Sequence, residues 1–218
     1  MSSKSDETRT RILAAAMEQF RERGFQAATM REIAERAGVA TGAAYYYFDS
    51  KDAIVLAFYD QATEELGPAL EKALAGGKDL RTRLLALLDA KLAFFAPNRR
   101  LLGALSAYAD PENPLSPFSE RTREIREKDI GFFERAIEGT RVKIPSSLKP
   151  HLPRVLWLYQ MGIILFWIYD RSPHQARSRA LLEKSLDIVV RLIRISSFPL
   201  MQPLRRMVID LIETVADN

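Results

Sequence analysis

The stretch "GVATGAAYYYFDSK", residues 38–51, sets three tyrosines and a phenylalanine in an unbroken row behind a run of small residues. A core helix spaces its large apolar residues three and four positions apart, so that a single face is buried. Four consecutive aromatic residues point all the way round a helix, and some of them must therefore face outward. The stretch predicts a surface, small at the start of a helix and aromatic further along, that another molecule contacts.

The residues before this stretch predict two short helices joined by a tight turn. Thr29 and Glu32 have the spacing of a capping box at the start of the first helix. Gly38 can take the positive φ that a tight turn requires, and Ala34 is small where the two helices would cross. A second short helix is expected over about residues 41–48. These are the proportions of a helix-turn-helix, in which the second helix enters the DNA major groove.

The second helix would approach DNA with its first residues and contact it with its aromatic ones. The first residues of such a helix meet base edges, so small side chains at Thr41, Gly42 and Ala43 would let it lie close to the groove floor. Tyr45 and Tyr46 can offer hydroxyl groups to phosphates or base edges, and their rings can touch thymine methyl groups.

The next residues along the chain are expected to anchor the helix and to add charge. Phe48 and one neighbouring tyrosine should turn inward and pack on Ile33. Lys51, in the first turn of the next helix, can place an ammonium group beside backbone amides that already favour a phosphate.

The segment "TMREIAERAGVATGAAYYYFDSKDAI", residues 29–54, resembles the amino-terminal signature of the TetR (tetracycline-repressor-like) transcription regulators. The specific resemblance covers about residues 8–58 and includes the "ERGF" that ends the preceding helix. It implies a homodimer with two DNA-binding heads and a larger helical domain that binds a small molecule. The positions that resemble the family's DNA-contacting or close-approach residues are Thr29, Arg31, Thr41, Gly42, Ala43, Tyr45, Tyr46 and Lys51.

Two residues depart from the family's pattern. Ala40 stands where a serine or threonine often caps the second helix, which would leave Thr41 as the cap and less free to contact DNA. Ala44 stands where a larger aliphatic residue usually packs inward, which could loosen the helix. For Arg31, an ordinary solvated charge is an equally good interpretation.

Composition excludes several kinds of site. The chain of 218 residues has no cysteine and two histidines, so disulfides and cysteine-based metal sites are absent and a reducing compartment is favoured. Neither histidine has a metal-ligand spacing or a neighbouring nucleophile, and no phosphate-binding glycine loop is present. We therefore expect no cofactor, no metal and no catalytic residue. The polar amino terminus lacks an apolar signal core, and we expect a cytoplasmic protein.

The charge is unevenly distributed. Net charge is +4 overall, −1 over residues 1–60 and +6 over residues 171–206. Charge alone would direct nucleic acid to the carboxyl-terminal third, whereas the helix-turn-helix motif argues for the other end. A solvated outer face and a second nucleic-acid site both remain interpretations of the basic third.

Helical spacing dominates the whole chain and predicts an all-α fold. We expect a helix-turn-helix domain over residues 1–52 and a helical effector-binding and dimerisation domain over residues 53–218. A helix capped by Asp49 or Ser50 should run toward Gly76, with a kink near Pro68. The later helices are expected near residues 79–95, 98–108, 116–139, 150–170, 174–196 and 201–216.

Residues 155–169 form the most apolar segment, which is shorter than a bilayer requires and is interpreted as a helix covered on several sides. The next helix has an apolar stripe, and two helices from each of two chains can form a four-helix interface. The residues predicted to form that interface are Leu182, Leu186, Val189, Val190 and Ile193. An apolar effector pocket, or ordinary core, is predicted at Phe94, Phe95, Tyr108, Phe133, Trp157, Met161 and Trp167.

The sequence thus predicts a DNA-binding regulator that pairs with a second copy on a near-palindromic operator. Repression, relieved by a mainly apolar effector, is implied by the resemblance. The alternative is a helical protein–protein interaction module without specific DNA binding.

Overall fold

The computed structural model describes residues 4–216, and this part of the chain contains α-helices, short 3₁₀ turns and no strand. The predicted all-α class is confirmed. The helices are α1 (Lys4–Arg23), α2 (Met30–Arg36), α3 (Thr41–Tyr47), α4 (Lys51–Ala75), α5 (Leu80–Phe95), α6 (Arg99–Leu105), α7 (Arg123–Glu138), α8 (Leu152–Tyr169), α9 (Ala176–Ile195) and α10 (Gln202–Ala216).

The chain divides into two compact units. The first comprises the chain up to Leu66 together with Ala93–Glu127, and the second comprises Gly67–Leu92 together with the chain from Lys128 onward. Helices α4, α5 and α7 each contribute residues to both units. The boundary expected between residues 52 and 53 stays a prediction. Helices α1, α2 and α3 together are called the head.

The head has a continuous apolar core. Ile12, Ala16 and Phe20 of α1 are fully buried, as are Ile33 and Ala34 of α2. Ile12, Ala16 and Phe20 are four positions apart and so lie on one face of α1, and the neighbouring Ile33 and Ala34 lie on the buried side of α2. Gly24 ends α1 with a φ of 88°, the left-handed conformation that glycine adopts at no steric cost. The end of the first helix within the "ERGF" motif, residues 22–25, is therefore confirmed.

Lys51 fastens the start of α4 to the segment that comes after α1. Its ammonium group donates to the carbonyl of Phe25 at 2.7 Å and to that of Gln26 at 3.3 Å, and it lies 4.8 Å from the centroid of the Phe25 ring. Burial lowers the pKa of Lys51, and the nearby Asp52 opposes that shift. Ser50 caps the same helix by accepting a hydrogen bond from the N–H of Ala53 at 3.1 Å. Ser50 is one of the two residues that were predicted as this cap.

The second unit is built around α8 and α9, which pack against each other. Leu156, Trp157, Ile163 and Trp167 of α8 are buried. By length and composition α8 could also cross a membrane, since its 18 residues have a mean hydropathy of 1.3, and 39 % of the helix is buried within the protein.

Arg83 joins the ends of two other helices in this unit. Its guanidinium group donates to the carbonyls of Leu74 and Gly77, at 2.6 Å and 3.3 Å, where α4 ends. It also donates to the carbonyls of Arg135 and Ala136 near the end of α7, at 2.9 Å and 3.1 Å. One side chain therefore supplies donors to carbonyl groups near the ends of two helices, of which the Arg135 carbonyl also accepts the N–H of Gly139 at 3.1 Å.

The helix expected over residues 116–139 begins later, at Arg123. Between residues 116 and 122, hydroxyl groups bond the backbone in place of a helical ladder. Ser116 Oγ accepts the N–H of Phe118 at 3.1 Å, and Thr122 Oγ1 donates to the carbonyl of Ser116 at 2.7 Å. Such local bonds compete with helix formation, and the prediction of a helix here was wrong for that reason.

We expect Lys51→Gln to lower the free energy of unfolding by about 1–2 kcal/mol, because two carbonyl groups lose a charged donor. Urea denaturation followed by circular dichroism at fixed protein concentration would measure it. Lys72→Gln, at an exposed position of the same helix, is the matched control and should change stability by less than about 0.5 kcal/mol. Equal effects of the two substitutions would contradict this account of Lys51.

Candidate functional site

The turn between α2 and α3 is set by one glycine and by backbone hydrogen bonds. Gly38 has a φ of 65°, so the positive φ predicted for this position is confirmed. Its N–H donates to the carbonyl of Glu35 at 3.0 Å, and the N–H of Val39 donates to that of Ala34 at 3.0 Å. These bonds satisfy carbonyl groups at the end of α2 and fix the point at which α3 begins.

The aromatic row divides into buried and exposed members. Phe48 is buried, and Tyr47 is half-buried with its ring edge-to-face against that of Tyr46 at 5.2 Å. Tyr46 is 83 % exposed and Tyr45 is 51 % exposed. Phe48 therefore packs inward as expected, while two rings with hydroxyl groups face solvent on one short helix.

The start of α3 is small and open. Ala40 is the N-cap and offers no side-chain hydrogen bond, so the expectation that Thr41 would replace it as the cap is wrong. Thr41 is instead the first helical residue and is exposed, and its hydroxyl bonds no other residue between 4 and 214. Gly42 is also exposed and Ala43 is half-buried. The side chain of Thr41 is thus available to a partner.

Ala44 is fully buried in the head core. Its methyl group is small, and α3 packs against α2 at this level of the head. Ala44 stands where the family usually has a larger aliphatic residue, and it is nevertheless completely covered by its neighbours.

Thr29 already has a structural role. Its hydroxyl accepts the N–H of Glu32 at 3.3 Å and donates to a carboxylate oxygen of Glu32 at 2.8 Å, while its own N–H donates to that carboxylate at 3.0 Å. The predicted capping box is confirmed. The Thr29 hydroxyl, followed by its backbone N–H, lowers the pKa of Glu32, and Arg23 adds an ion pair.

Among the other predicted contacts, Arg31 is exposed and Lys51 is largely committed. Arg31 makes no ion pair with the described residues, so its guanidinium group is free to meet a phosphate. Lys51 donates to two backbone carbonyls, which reduces its availability to DNA. Contact with DNA stays a prediction for both.

Two arginines that were not predicted from the sequence form hydrogen bonds with α1 of the head. Arg36 of α2 donates to both carboxylate oxygens of Glu22, at 2.9 Å and 2.6 Å, and reaches Glu18 at 3.4 Å. Arg100 of α6 donates to the carbonyl of Glu22 at 2.8 Å. The i+4 spacing of the two glutamates on α1 was visible in the sequence, whereas their partners were not.

The seven residues predicted to line an effector pocket are divided between the two units. In the first unit, the rings of Phe94 and Phe95 stack edge-to-face at 5.2 Å. Tyr108 in that unit packs on Phe25 at 6.4 Å and accepts a hydrogen bond from Gln26 at 2.5 Å. The second unit contains the other four, Phe133, Trp157, Met161 and Trp167, of which all but the half-buried Met161 are buried. A shared pocket stays a prediction.

The second unit also contains a buried cation that was not predicted from the sequence. Lys91 of α5 is 2 % exposed. Its ammonium group donates to Asp129 of α7 and, at 2.5 Å, to the amide oxygen of Gln160 of α8, while the Gln160 amide nitrogen donates to Asp129 at 2.8 Å. Burial lowers the pKa of Lys91 and the Asp129 carboxylate opposes that shift. Gln160 was visible in the sequence as a polar residue that interrupts the most apolar segment, whereas Lys91 is one of several polar residues of α5 and was not singled out.

The stripe predicted to form the dimer interface lies mostly inside one protomer. Leu182, Leu186, Val190 and Ile193 are between 0 % and 4 % exposed, and Val189 is half-buried. A side chain covered by its own protomer has little surface left for a second copy. The exposed apolar residues of α9 are Ile188, Leu192 and Ile195, and those of α8 are Leu158, Leu165, Phe166 and Tyr169.

No group of three or more histidine, cysteine, aspartate or glutamate side chains that could bind a metal occurs among the described residues. His151 lies 3.6 Å from Glu213, and His174 is exposed in the turn before α9.

Comparison with known protein families gives two matches that together span most of the chain. Residues 12–58 match the family described as bacterial regulatory proteins, tetR family. Residues 83–213 match the tetracyclin repressor-like C-terminal domain.

Individual proteins are similar to different extents. The HTH-type transcriptional activator FasR of Mycolicibacterium smegmatis is 40 % identical over 89 residues, which are 41 % of each chain. The HTH-type transcriptional repressor KstR2 of Rhodococcus jostii is 30 % identical over 136 residues, 60 % of this chain and 65 % of KstR2. The matched region therefore spans less than two thirds of either relative.

Among solved structures, FadR of Thermus thermophilus, a TetR-family repressor in complex with lauroyl-CoA, superposes with a TM-score of 0.58. It is 26 % identical, and the match covers 87 % of this chain and 95 % of FadR. The family matches confirm the resemblance seen in residues 29–54, and the chain belongs to the tetR family of bacterial regulatory proteins, with its helix-turn-helix in the head.

Proposed function

We propose that this protein is a sequence-specific DNA-binding transcriptional regulator, and specifically a repressor that a small effector releases from its operator. The observation that supports this most directly is the outer face of α3, where Thr41, Tyr45 and Tyr46 are exposed behind a glycine turn. The rings of Tyr45 and Tyr46 leave 51 % and 83 % of their surface outside the fold, and a major groove offers that surface phosphates and thymine methyl groups.

Repression is favoured over activation by the extent of similarity. KstR2, a repressor, is matched over 65 % of its length, and the activator FasR is matched over 41 %. The alternative of an interaction module without specific DNA binding is disfavoured, because the match to a family of regulatory proteins includes the whole helix-turn-helix.

The head offers both paired and unpaired cations to the phosphate backbone. Arg36 is paired with Glu22 and Arg23 with Glu32. Lys4, Arg11 and Arg31 are exposed and make no ion pair with any described residue. The salt dependence of operator affinity would report how many phosphates these exposed cations neutralise. Sequence contacts by α3 would supply much of the discrimination.

Tyr46→Ala should weaken operator binding about tenfold or more and change the preferred bases at the contacted position. Selection from a random duplex library, followed by fluorescence anisotropy with the enriched near-palindrome, would measure both effects. Tyr46→Phe is the matched control, because it keeps the ring and removes the hydroxyl, and so separates methyl contact from hydrogen bonding. An enriched sequence that Tyr46→Ala binds as tightly as the unmodified protein would exclude the proposed role of Tyr46.

We further propose that two copies pair through the exposed apolar faces of α8 and α9, as a homodimer on a near-palindromic operator. Ile188, Leu192 and Ile195 are spaced by four and three positions and form one outward stripe on α9. The neighbouring α8 adds Leu158 and Leu165, seven positions apart, on its exposed side. Two helices from each copy would cover both stripes in a four-helix interface.

Leu192→Asp should convert the dimer to monomers, because it would place a carboxylate in the proposed apolar interface. Sedimentation velocity at micromolar concentration would measure the association state. Ala180→Asp is the control, since Ala180 is exposed on α9 and lies about 80° round the helix from Ile188. A Leu192→Asp protein that sediments as an unchanged dimer would refute this placement.

The effector is proposed to be mainly apolar, with an acyl chain as the first candidate. Phe133, Trp157 and Trp167 give the second unit a strongly apolar interior, and Lys91 with Gln160 adds one polar group to it. The Thermus FadR structure contains lauroyl-CoA, and we therefore propose an acyl-CoA as a candidate effector of this protein. Release from DNA then requires that the ligand prefer the conformation that does not bind operator.

Lauroyl-CoA should weaken operator affinity by about fivefold to a hundredfold at saturation and should change the fluorescence of the two tryptophans. Anisotropy with labelled operator and tryptophan emission in parallel would measure both. Free coenzyme A, which lacks the acyl chain, is the control and should leave the operator bound. If effector-saturated protein binds operator as tightly as free protein, lauroyl-CoA is not the releasing ligand.

A cytoplasmic location and the absence of a cofactor, a metal and a membrane partner complete the proposal. They are supported by the cysteine-free sequence and by the regulatory family.

A further inference from the structure

A basic cleft opens on the second unit where three segments of the chain meet. Its volume is about 410 Å³. The segments are the residues before α5, the irregular segment after α7, and the carboxyl-terminal end of α9 with the residues just beyond it. The lining residues are Lys78, Asp79, Thr140, Arg141, Val142, Lys143, Arg194 and Ser197.

The charges in this cleft are not neutralised by the protein itself. Four of the lining residues are cations and one, Asp79, is an acid. The side chains of Lys78, Arg141 and Lys143 make no ion pair or hydrogen bond with any residue from 4 to 214. Elsewhere in the same unit, Arg81, Arg135 and Arg179 are each paired with a carboxylate. Unpaired cations that are clustered in a concave site attract an anion from solution.

The carboxylate of Asp79 offsets one of the four positive charges and also caps α5. It accepts the N–H of Thr82 at 3.1 Å and the Thr82 hydroxyl at 2.6 Å. These bonds, followed by the charge of Arg194, lower the pKa of Asp79. A net excess of three positive charges therefore faces the cleft.

Two arginines fix the walls of the cleft. Arg83 bonds carbonyls beside Lys78 and at the end of α7, which places the first two lining segments next to each other. A Cβ on Gly139 would overlap the Arg83 guanidinium group, so that glycine permits the close approach. Arg81, in the first turn of α5, pairs with Asp187 of α9 and ties the third segment to the first.

We propose that this cleft binds a phosphate-bearing small molecule, such as a nucleoside phosphate. The proposal goes beyond DNA binding by the head and beyond the apolar effector. A volume of about 410 Å³ lies in the range of small-molecule sites, about 300–1,000 Å³, and exceeds what a single inorganic ion fills. Arginine and lysine together suit a phosphate dianion, which can accept several charge-assisted hydrogen bonds from different directions.

Adenosine 3′,5′-bisphosphate is the probe, titrated by calorimetry into the unmodified protein in about 50 mM NaCl. Arg141→Gln combined with Lys143→Gln should weaken its binding about tenfold or more. Arg171→Gln combined with Arg177→Gln removes the same charge and should leave binding within about twofold. Arg177 is in the first turn of α9, about 25 Å along the helix from Arg194. All four substituted side chains are exposed, and thermal melting would show that each double variant is folded.

Further ligands decide between sources of the same chemistry. Inorganic phosphate should bind more weakly than the bisphosphate, and coenzyme A should bind at least as well if the natural ligand is an acyl carrier. The titration needs neither operator nor acyl chain, so its failure would leave the proposed regulatory function standing.

The proposal would be overturned if the bisphosphate did not bind the unmodified protein, or if the two double variants weakened its binding equally. A second kind of contrary result is equally tight binding of citrate, which would indicate a surface that binds any polyanion. If the bisphosphate binds none of the proteins and the cleft variant loses affinity for non-operator duplex DNA, the cleft is a nucleic-acid surface and the proposal is wrong.

Discussion

The close packing of α2 against α3 depends on two alanines and one glycine. Ala34 and Ala44 have no exposed surface, so a larger side chain at either position would have to push the two helices apart. Gly38 supplies the left-handed residue between them. Once these three residues fix the crossing, the direction of every side chain on α3 is determined. Phe48 enters the core, Tyr47 lies at its margin, and Tyr45 and Tyr46 are left in solvent.

The parts of the structure that the sequence predicted correctly are those that neighbouring residues decide. The capping box of Thr29 and Glu32, the stop at Gly24 and the turn at Gly38 each depend on bonds or dihedral angles within about four positions. Helical periodicity likewise located α5, α8, α9 and α10 to within a few residues. The outward face of α3 could be predicted for the same reason, since four adjacent aromatic residues cannot share one side of a helix.

The parts that the sequence did not predict depend on contacts between distant segments. Helix α9 has two apolar stripes of equivalent spacing, and only the packing of the second unit shows that the one with Leu182 and Leu186 faces the core while the one with Ile188 and Leu192 faces solvent. From the sequence, Lys51 was expected to be available to a phosphate, whereas in the structure its ammonium group donates to the carbonyl of Phe25. The basic cleft combines residues more than 100 positions apart, and no local pattern indicates such a site.

The four carbonyl bonds of Arg83 have a consequence for local unfolding. When the last turn of a helix unwinds, its carbonyl groups lose the hydrogen bonds that capped them. The free energy of that loss normally concerns one helix alone. Here carbonyl groups near the ends of α4 and α7 share one guanidinium donor, and a rotation of that group would remove a hydrogen bond from both ends at once. The end of α7 keeps the bonds that Gly139 and Thr140 donate to the carbonyls of Arg135 and Ile137. The opening of the two ends is therefore expected to be coupled, so that amide hydrogens at the end of α4 exchange faster with solvent when the end of α7 unwinds.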